Sequence, residues 1–336
     1  MAQTNPADIK ISSLHQIGIA VKDVEKTAQN YWNILGIGPW NIITLRYPHI
    51  YDRTHRGKPK HHCAVKLALA KAGQIELALM ETLEGDTTYS DFIAECGEGP
   101  HHLQYLVDSM AELDKHIEII AKKGVTSAMS FHFGNGGGVN YIDMKSVLKT
   151  IWSIVKIPDE LYAPTVKYPA SDTETSPAKV RVKEIARIGI VVKNLEALME
   201  SYWNLLGIGP WDVCEVAPPL LHDITYCGKP GNYTMRAAFA TIGPIKIELL
   251  QRVSGDNFHK DFIWEQGEGI HHLGFLVDNI DETTQIMDKN GFPTMMSGKL
   301  LDGGFACYNT GELLKTTWKA FQPPKTALPL TRFIPK

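Results

Sequence analysis

A glutamate and a histidine occur together in each half of this 336-residue chain, and such a pair is suited to proton transfer. Glu76 and Glu248 each lie within an Ile-Glu-Leu segment, and His102 and His272 each stand second in a His-His-Leu segment. General acid–base catalysis needs two such groups across a pocket, with pKa values tuned by burial. We therefore treat the pairs Glu76/His102 and Glu248/His272 as candidate catalytic residues.

The elements that must position these residues are repeated along the chain. The decapeptide YWNILGIGPW at residues 31–40 returns as YWNLLGIGPW at residues 202–211. A repeat of this kind at so large a separation indicates two copies of a whole domain rather than a short solenoid repeat. A fainter repeat lays residues 101–108 over residues 15–22, so each half contains two strand-helix-strand-strand-strand units.

The sequence predicts an α+β fold with four βαβββ units and a defined division of the chain. We expect a first domain at residues 1–156 and a second at residues 182–321. Residues 157–181 are rich in Pro, Ser, Thr and charge and are predicted to be a linker. Residues 322–336 are predicted to be a Pro-rich tail, long enough to lie across a neighbouring surface.

Within the first half, apolar periodicity predicts individual elements. Asp23 is expected to cap a helix at residues 24–35, which Gly36 ends. Further helices are expected at about residues 89–95 and 110–123, and residues 51–60 read as a charged loop. Strands are predicted at residues 16–21, 41–47, 62–70, 74–80, 102–107, 126–132, 138–144 and 148–155. The second half repeats this order.

Composition excludes several classes of function. A formal net charge of -3 and a pI near 6.5 give no basic surface for nucleic acid. No run approaches the roughly 18 apolar residues of a membrane helix, and the polar N-terminus lacks a signal-peptide core. The five cysteines are odd in number and form no CxxC pair, which is typical of free thiols. We expect a cytoplasmic protein.

The motifs IGIAVKDVE, LGIGPW, IELALME and GEGPHHLQYLVD together resemble the vicinal oxygen chelate superfamily, in its methylmalonyl-CoA epimerase and glyoxalase branch. The resemblance covers nearly the whole chain outside the linker and the tail. It implies that two units form one cup-shaped mixed sheet, with helices on the convex side and a divalent metal on the concave side. It also implies a small-molecule carbonyl substrate and a monomer or homodimer, but it does not specify which substrate.

In the first half, the resemblance places the family's metal ligands at Gln16, Glu76 and His102. The fourth position, normally a glutamate, falls on Thr150. Gln, Glu and His are plausible ligands for Mn, Co, Ni, Zn or Mg. The alternative is a hydrogen-bonded polar cluster without metal.

In the second half, the corresponding positions are Arg187, Glu248, His272 and Thr316. A guanidinium stays protonated and has no lone pair for a metal. We therefore expect an Arg187–Glu248 ion pair and no metal in the second domain. Either a substrate-binding role or a structural network predicts that Arg187, Glu248 and His272 touch.

The remaining candidates are assigned to substrate binding or to structure. Arg187 suits a carboxylate or enolate oxygen. His101 and His271 are expected to point toward the helix side as structural residues. The candidate substrate-binding residues are Arg187, Gln104, Tyr141, Thr150 and Thr316.

Four functions remain open. The first hypothesis is an epimerase or racemase that moves a proton next to a carbonyl through an enolate or enediolate. The second is a glyoxalase-type or other carbon–oxygen lyase. The third is extradiol-type oxygen chemistry, which Arg187 and Thr316 disfavour, and the fourth is a non-catalytic small-molecule-binding protein.

Overall fold

The computed structural model describes residues 5–171 and 173–335 and confirms the predicted α+β fold class. The described residues form two mixed, curled sheets, each of eleven strands. The chain divides into two compact units. The first unit runs from Ser13 to Arg181, and the second begins at Val182 and also includes the segment that ends at Ser12.

The first unit contains one of the sheets and four helices among its described residues. Its helices are α1 (Val24–Leu35), α2 (Thr88–Cys96), α3 (Met110–Lys122) and α4 (Lys145–Leu148). Its strands are β1 (Gln16–Ala20), β2 (Trp40–Leu45), β3 (Ile50–His55), β4 (Lys58–Pro59), β5 (Ala64–Ala72), β6 (Ile75–Glu84), β7 (Gly99–Leu106), β8 (Ser127–Phe133), β9 (Gly138–Met144), β10 (Thr150–Lys156) and β11 (Val166–Tyr168). The order across the sheet is β11-β2-β5-β6-β1-β7-β10-β9-β8-β3-β4.

The second unit repeats this arrangement. Its helices are α5 (Leu195–Leu206), α6 (Phe258–Gln266), α7 (Ile280–Lys289) and α8 (Gly311–Leu314). Its strands are β12 (Arg187–Val192), β13 (Trp211–Val216), β14 (Leu221–Tyr226), β15 (Lys229–Pro230), β16 (Thr234–Ile242), β17 (Ile245–Ser254), β18 (Gly269–Leu276), β19 (Thr294–Leu300), β20 (Gly303–Tyr308), β21 (Thr317–Gln322) and β22 (Thr331–Phe333). The order is β15-β14-β19-β20-β21-β18-β12-β17-β16-β13-β22.

Local sequence signals explain the helix ends that matter for the site. The Asp23 side chain accepts a hydrogen bond from the Lys26 backbone N–H, which satisfies an otherwise unpaired donor at the start of α1. Gly36 ends α1 at a φ of 67°, a conformation that costs glycine little. The Thr87 hydroxyl and Ser90 form a capping box at the start of α2.

The prediction of a charged loop at residues 51–60 is wrong in part, because this segment contains most of strand β3 and all of strand β4. The polar side chains of β3 lie on a strand near the edge of the sheet, where one face meets water, so the segment lacks an apolar periodicity. Two further strands lie where a linker and a tail were predicted. β11 pairs with β2, and β22 pairs with β13.

The two faces of each sheet are covered differently. We call the face that carries His102 or His272 the inner face and the opposite face the outer face. The helix α3 packs on the outer face, where His116 contacts Tyr105. Tyr105 follows the inner-face residue Gln104 on β7 and therefore points to the opposite side. The helix α2 instead packs on the inner face, where Tyr89 contacts both His101 and Tyr141. The expectation that the helices lie on the convex side therefore does not extend to α2.

Both inner faces are largely apolar. In the first unit Met80, Met129, Phe131 and Val139 form a buried cluster with Tyr89 of α2. In the second unit Met235, Leu250, Phe305 and Phe321 form the equivalent cluster. Burying such side chains contributes about 1.5–3 kcal/mol each, so polar groups on these faces are held in an environment that excludes water. Among the described residues, no helix is both long and apolar enough to span a membrane.

Candidate functional site

Strand register brings Gln16, Glu76 and His102 onto the inner face of three adjacent strands. Gln16 is the parallel Cα partner of Glu76 and the antiparallel partner of Gln104, and Gly18 is the partner of His102. Paired residues in neighbouring strands project to the same side. The Gln16 Nε2 donates to Glu76 Oε1 at 2.6 Å. The structure thus places these candidates together on one face, as expected.

The glycine two residues after Gln16 makes room for the histidine ring. A Cβ added to Gly18 would lie 2.1 Å from His102 Cε1, and one added to Gly189 would lie 2.0 Å from His272 Cε1. Real Cβ atoms do not approach other atoms so closely, so any larger residue would displace the ring. The Gly of the Ile-Gly-Ile motif is therefore a packing requirement of the site.

Simple alternation along the strand predicted that His101 points toward the outer helices. In the structure it does not. The register shifts after Gly18, so His101 is the extra residue of a β-bulge. Its Nδ1 lies 3.0 Å from His102 Nδ1, and its Nε2 lies 3.2 Å from the Thr88 carbonyl oxygen. His101 thus acts beside His102 on the inner face rather than opposite it.

These contacts assign the tautomers of both rings. Burial lowers the pKa of His101 to about 3 and that of His102 well below its ordinary value, so both are neutral at pH 7. A carbonyl only accepts, so His101 Nε2 carries the proton and donates to Thr88. His101 Nδ1 then accepts from His102 Nδ1–H, which leaves a lone pair on His102 Nε2. That atom is buried and has no hydrogen-bond partner within the described part of the chain.

Two more predicted residues extend this polar row along the inner face. Gln104 Oε1 accepts from the Ser153 hydroxyl at 3.3 Å, and Ser153 is the Cα partner of both Gln104 and Tyr141. Burial raises the pKa of Tyr141 to about 12, so its phenol stays protonated and shares a short hydrogen bond with Tyr89.

Thr150 does not join this group. The Cα partner of His102 on β10 is Ile151, so Thr150 projects to the outer face, where it accepts from Trp152 Nε1 at 2.9 Å. In the second unit Thr316 precedes β21, and the partner of His272 is Thr317. The predicted starts of β10 and β21 were too early, because the short helices α4 and α8 occupy the preceding residues. An error of one residue along a strand assigns each side chain to the wrong face of the sheet.

A cavity of about 500 Å³ lies beside helix α2 of the first unit, but its lining contains none of Gln16, Glu76 and His102. Its lining includes Thr88, whose carbonyl accepts from His101, and Ile151, the Cα partner of His102. Charged side chains complete the wall, among them Lys145, which lies 2.8 Å from Glu95 Oε2. The volume is that of an ordinary small-molecule pocket.

In the second unit, the predicted Arg187–Glu248 ion pair is present and has a third member that the sequence did not reveal. Arg187 Nη1 lies 3.1 Å from Glu248 Oε1, and Lys319 Nζ lies 2.9 Å from Glu248 Oε2. His272 Nε2 lies 3.2 Å from the same Oε2. Lys319 was missed because strand β21 was aligned on Thr316. Its register equivalent in the first unit is Ser153.

Register also shows that Glu76 and Glu248 do not occupy equivalent positions. Glu76 pairs with Gln16, whereas the residue that pairs with Arg187 is Lys246. Glu248 pairs with Gly189, and the corresponding partner of Gly18 is Ala78. The two Ile-Glu-Leu segments are therefore offset by two residues in the register of their sheets. This shift keeps the carboxylate on the same face of the sheet but moves it along the strand.

The second histidine pair has the opposite tautomers. Burial alone would raise the pKa of Glu248, but Lys319, the hydrogen bond from His272 and Arg187 together hold it well below its usual range. His272, whose pKa burial lowers to about 4, is neutral and donates from Nε2 to the carboxylate. Its Nδ1 accepts from His271 Nδ1–H at 3.0 Å. The open lone pair here lies on His271 Nε2, not on His272.

The two units therefore differ in their fitness for the divalent metal that the fold family implies. In the first, His102 Nε2 offers an unpartnered lone pair, and the Gln16 and Glu76 oxygens lie on the same face. These donor types suit a divalent ion. In the second unit, the cations Arg187 and Lys319 and the carboxylate Glu248 occupy the family's metal position. That set of side chains does not fit a divalent ion.

Acidification is expected to destabilise the fold through these buried histidines. Their pKa values are depressed in the folded state, so below about pH 6.5 the unfolded chain binds protons that the folded chain excludes. Stability should be complete above pH 6.5 and fall toward pH 4 by roughly 1.4 kcal/mol per pH unit for each such histidine. Urea midpoints at pH 7.5, 6 and 5 test this, with the exposed His62→Gln as control. His101→Gln should reduce the slope, and a stability that rises on acidification would contradict the assignment.

Comparison with known proteins agrees with this architecture. Residues 15–141 and 186–308 each match the family described as Glyoxalase/Bleomycin resistance protein/Dioxygenase superfamily. A mutant of 4-hydroxymandelate synthase from Streptomyces coelicolor is similar in fold, with a TM-score of 0.58 at 13% identity over 94% of this chain and 93% of that one. A fusion of a xylose isomerase-like TIM barrel with 4-hydroxyphenylpyruvate dioxygenase gives a TM-score of 0.53 at 13% identity, covering 96% of this chain and 51% of that one. The uncharacterized protein YqjC of Bacillus subtilis (strain 168) is 26% identical over 115 residues, which are 33% of this chain and 71% of YqjC.

The chain belongs to the Glyoxalase/Bleomycin resistance protein/Dioxygenase superfamily, because the family match covers most of its length in two regions. The similarities to solved structures are low in sequence identity and show the fold alone. Most members of this superfamily are enzymes, and members of it bind a divalent metal.

Proposed function

We propose that the protein is an epimerase or racemase that abstracts a proton next to a carbonyl group, and that the reaction takes place in the first unit. The observation that carries the proposal is the open lone pair of His102 Nε2, on the same face as the hydrogen-bonded pair of Gln16 and Glu76.

Glu76 is the base in this proposal. Its Oε1 is fixed by the Gln16 amide, and its Oε2 has no hydrogen bond to any residue that the structure describes. The side chain is 19% exposed, so a substrate can reach it from solvent. The bond from carbon to its α-hydrogen breaks, the proton passes to the carboxylate, and the electron pair forms an enolate. When the planar enolate turns its other face to Glu76, the carboxylic acid returns the proton to that face and gives the epimer.

Gln16, His102 and the Oε1 atom of Glu76 would hold a divalent ion, which leaves Glu76 Oε2 as the base. The ion, when bound, would stabilise the enolate oxygen as a Lewis acid. His102 is suited to this position because burial keeps it neutral and His101 fixes its tautomer. Such an outer contact orients a ligating ring. The apolar cluster around Tyr89 and Tyr141 excludes water, which strengthens every charge interaction in the site.

The second unit has a different role in this proposal. Both oxygens of Glu248 are occupied, by Arg187 on one side and by Lys319 and His272 on the other. A carboxylate held in this way is not available as a base. Arg187, which is 12% exposed at its side chain, remains a candidate to bind a substrate carboxylate.

The proposal is tested by proton exchange in heavy water with a panel of chiral 2-substituted acyl thioesters and keto acids. We expect deuterium to enter at the α-carbon of at least one compound, with loss of optical activity and no other product. Elimination or rearrangement after exchange would favour the lyase or glyoxalase-type alternative, which shares the first step. Turnover without deuterium uptake would exclude the proposed mechanism.

A further inference from the structure

A cluster of three buried histidines in the second unit lies outside the reaction proposed above. His259, His271 and His272 can each offer one ring nitrogen such that all three atoms lie within 4.8 Å of one another. His259 stands in the first turn of α6, which covers the inner face as α2 does in the first unit. The corresponding residue of α2 is Tyr89, so the third imidazole is a feature of the second unit.

The hydrogen bonds of this cluster leave it incomplete. In the first unit the outer ring nitrogen of His101 donates to the Thr88 carbonyl, whereas His271 Nε2 and His259 Nε2 have no partner among residues 5–171 and 173–335. A buried polar atom without a partner costs about 1–3 kcal/mol. Because no protein group holds either ring at Nε2, each ring can place its proton on that atom and offer Nδ1 to an ion.

Close approaches among the ring nitrogens have the spacing of neighbouring ligands around one ion. The ion would replace the proton between His271 Nδ1 and His272 Nδ1, which are 3.0 Å apart, and His271 would then carry its proton on Nε2. His259 Nδ1 lies 3.1 Å from Met235 Sδ. With metal–nitrogen distances of about 2.0–2.1 Å, adjacent ligand atoms of a tetrahedral ion are separated by roughly 3.3 Å. His272 moreover donates its other nitrogen to Glu248, which is how ligating histidines are usually oriented.

We propose that His259, His271, His272 and Met235 form a buried site for a single Cu(I) ion. All four ligands are neutral, and the thioether is a soft donor that selects Cu(I) over harder divalent ions. The surrounding charge favours the same choice, because Glu248 is the one carboxylate that pairs with Arg187 and Lys319 among the described residues. A monovalent ion adds less to this surplus of positive charge than a divalent ion would. The site is separate from the first-unit reaction and does not depend on it.

The experiment uses the full chain in a Cys227→Ser background, because Cys227 is an exposed thiol that would itself bind Cu(I). The protein is produced in copper-supplemented medium and, in parallel, incubated anaerobically with Cu(I) against a chromophoric Cu(I) chelator. We expect one ion per chain, lost in both His259→Gln and His271→Gln. His101→Gln, the matched change in the first unit, should retain it. Met235→Leu, which conserves volume, should weaken binding at least tenfold and remove the sulfur contribution from the X-ray absorption spectrum.

Copper should also raise the thermal midpoint of the parent chain but not that of His259→Gln, because only the folded state has the site. Copper retained by the combined His259→Gln/His271→Gln variant would place it on thiols and overturn the proposal. Failure of both loading routes would do the same. Stoichiometric Zn(II) that resists displacement by Cu(I) would overturn the choice of metal.

Discussion

Replacing His102 with glutamine should reduce α-proton exchange by about 10²–10⁴-fold, the range that a positioned proton-transfer or polarising group contributes. The amide occupies a similar volume but lacks the imidazole lone pair that His102 Nε2 holds without a partner. Loss should appear in the chemical step, as a lower kcat with little change in KM. The measurement is the rate of deuterium incorporation into the substrate found by screening.

Two further variants make this result specific. The exposed His62→Gln should exchange at the parent rate. His272→Gln should keep exchange as well, since the His272 proton is committed to Glu248. An unfolding curve for each variant separates loss of chemistry from loss of fold. If His272→Gln abolishes exchange and His102→Gln does not, the reaction belongs to the second unit and the assignment proposed here is wrong.

Replacing Glu248 with glutamine should lower the free energy of unfolding by about 3–5 kcal/mol, because it leaves two buried cations without a counter-charge. Arg187 and Lys319 both contact this carboxylate, and both side chains are largely buried. The guanidinium also stacks on the Phe321 ring at 3.8 Å, so it cannot turn to water without losing that contact. Urea denaturation at pH 7.5 measures the change.

The first unit supplies the control for this prediction, since it has Gln16, Ala78 and Ser153 at the equivalent positions. Introducing these residues together, as Arg187→Gln, Glu248→Ala and Lys319→Ser, removes all three charges at once. The combined variant should recover most of the stability that Glu248→Gln loses. A single change that costs under 1 kcal/mol would show that the cations reach solvent.

The elements nearest the site were predictable because strong local signals define them. The helix α1 was predicted at residues 24–35 and has those bounds, since a side-chain cap begins it and a glycine ends it. The strand β9 was likewise predicted at its observed bounds. The β3 and β4 strands were not found, because polar strands at or next to a sheet edge lack the periodicity on which such predictions depend.

The site was predictable only as far as residue types and approximate strand phase allow. The contact of Arg187 with Glu248 followed from charge alone, because buried charge must be paired. Lys319 and His259 were missed for different reasons. Lys319 requires the register of β21 against β18, which a one-residue error conceals. His259 lies on a helix that crosses the inner face, and no pattern in its own segment indicates that approach.

The orientation of His101 could not be predicted without the β-bulge, which brings the two histidine rings into hydrogen-bond contact. Strict alternation separates two consecutive histidines onto opposite faces, whereas the register shift after Gly18 places their Nδ1 atoms 3.0 Å apart. The partner at the far end of each pair then determines the proton positions. A carbonyl beyond His101 and a carboxylate beyond His272 give the two units opposite tautomers.

The most direct test of this account is a ¹⁵N NMR measurement of the histidine tautomers at pH 7.5, with His102→Gln and His272→Gln used to assign the signals. We predict that His102 is neutral with its proton on Nδ1 and that His272 is neutral with its proton on Nε2. That result would leave the lone pair of His102 Nε2 without a hydrogen-bond partner in the first unit, whereas the lone pair of His272 Nδ1 accepts from His271 in the second. A His102 signal with the proton on Nε2, or a doubly protonated ring, would contradict the proposed site.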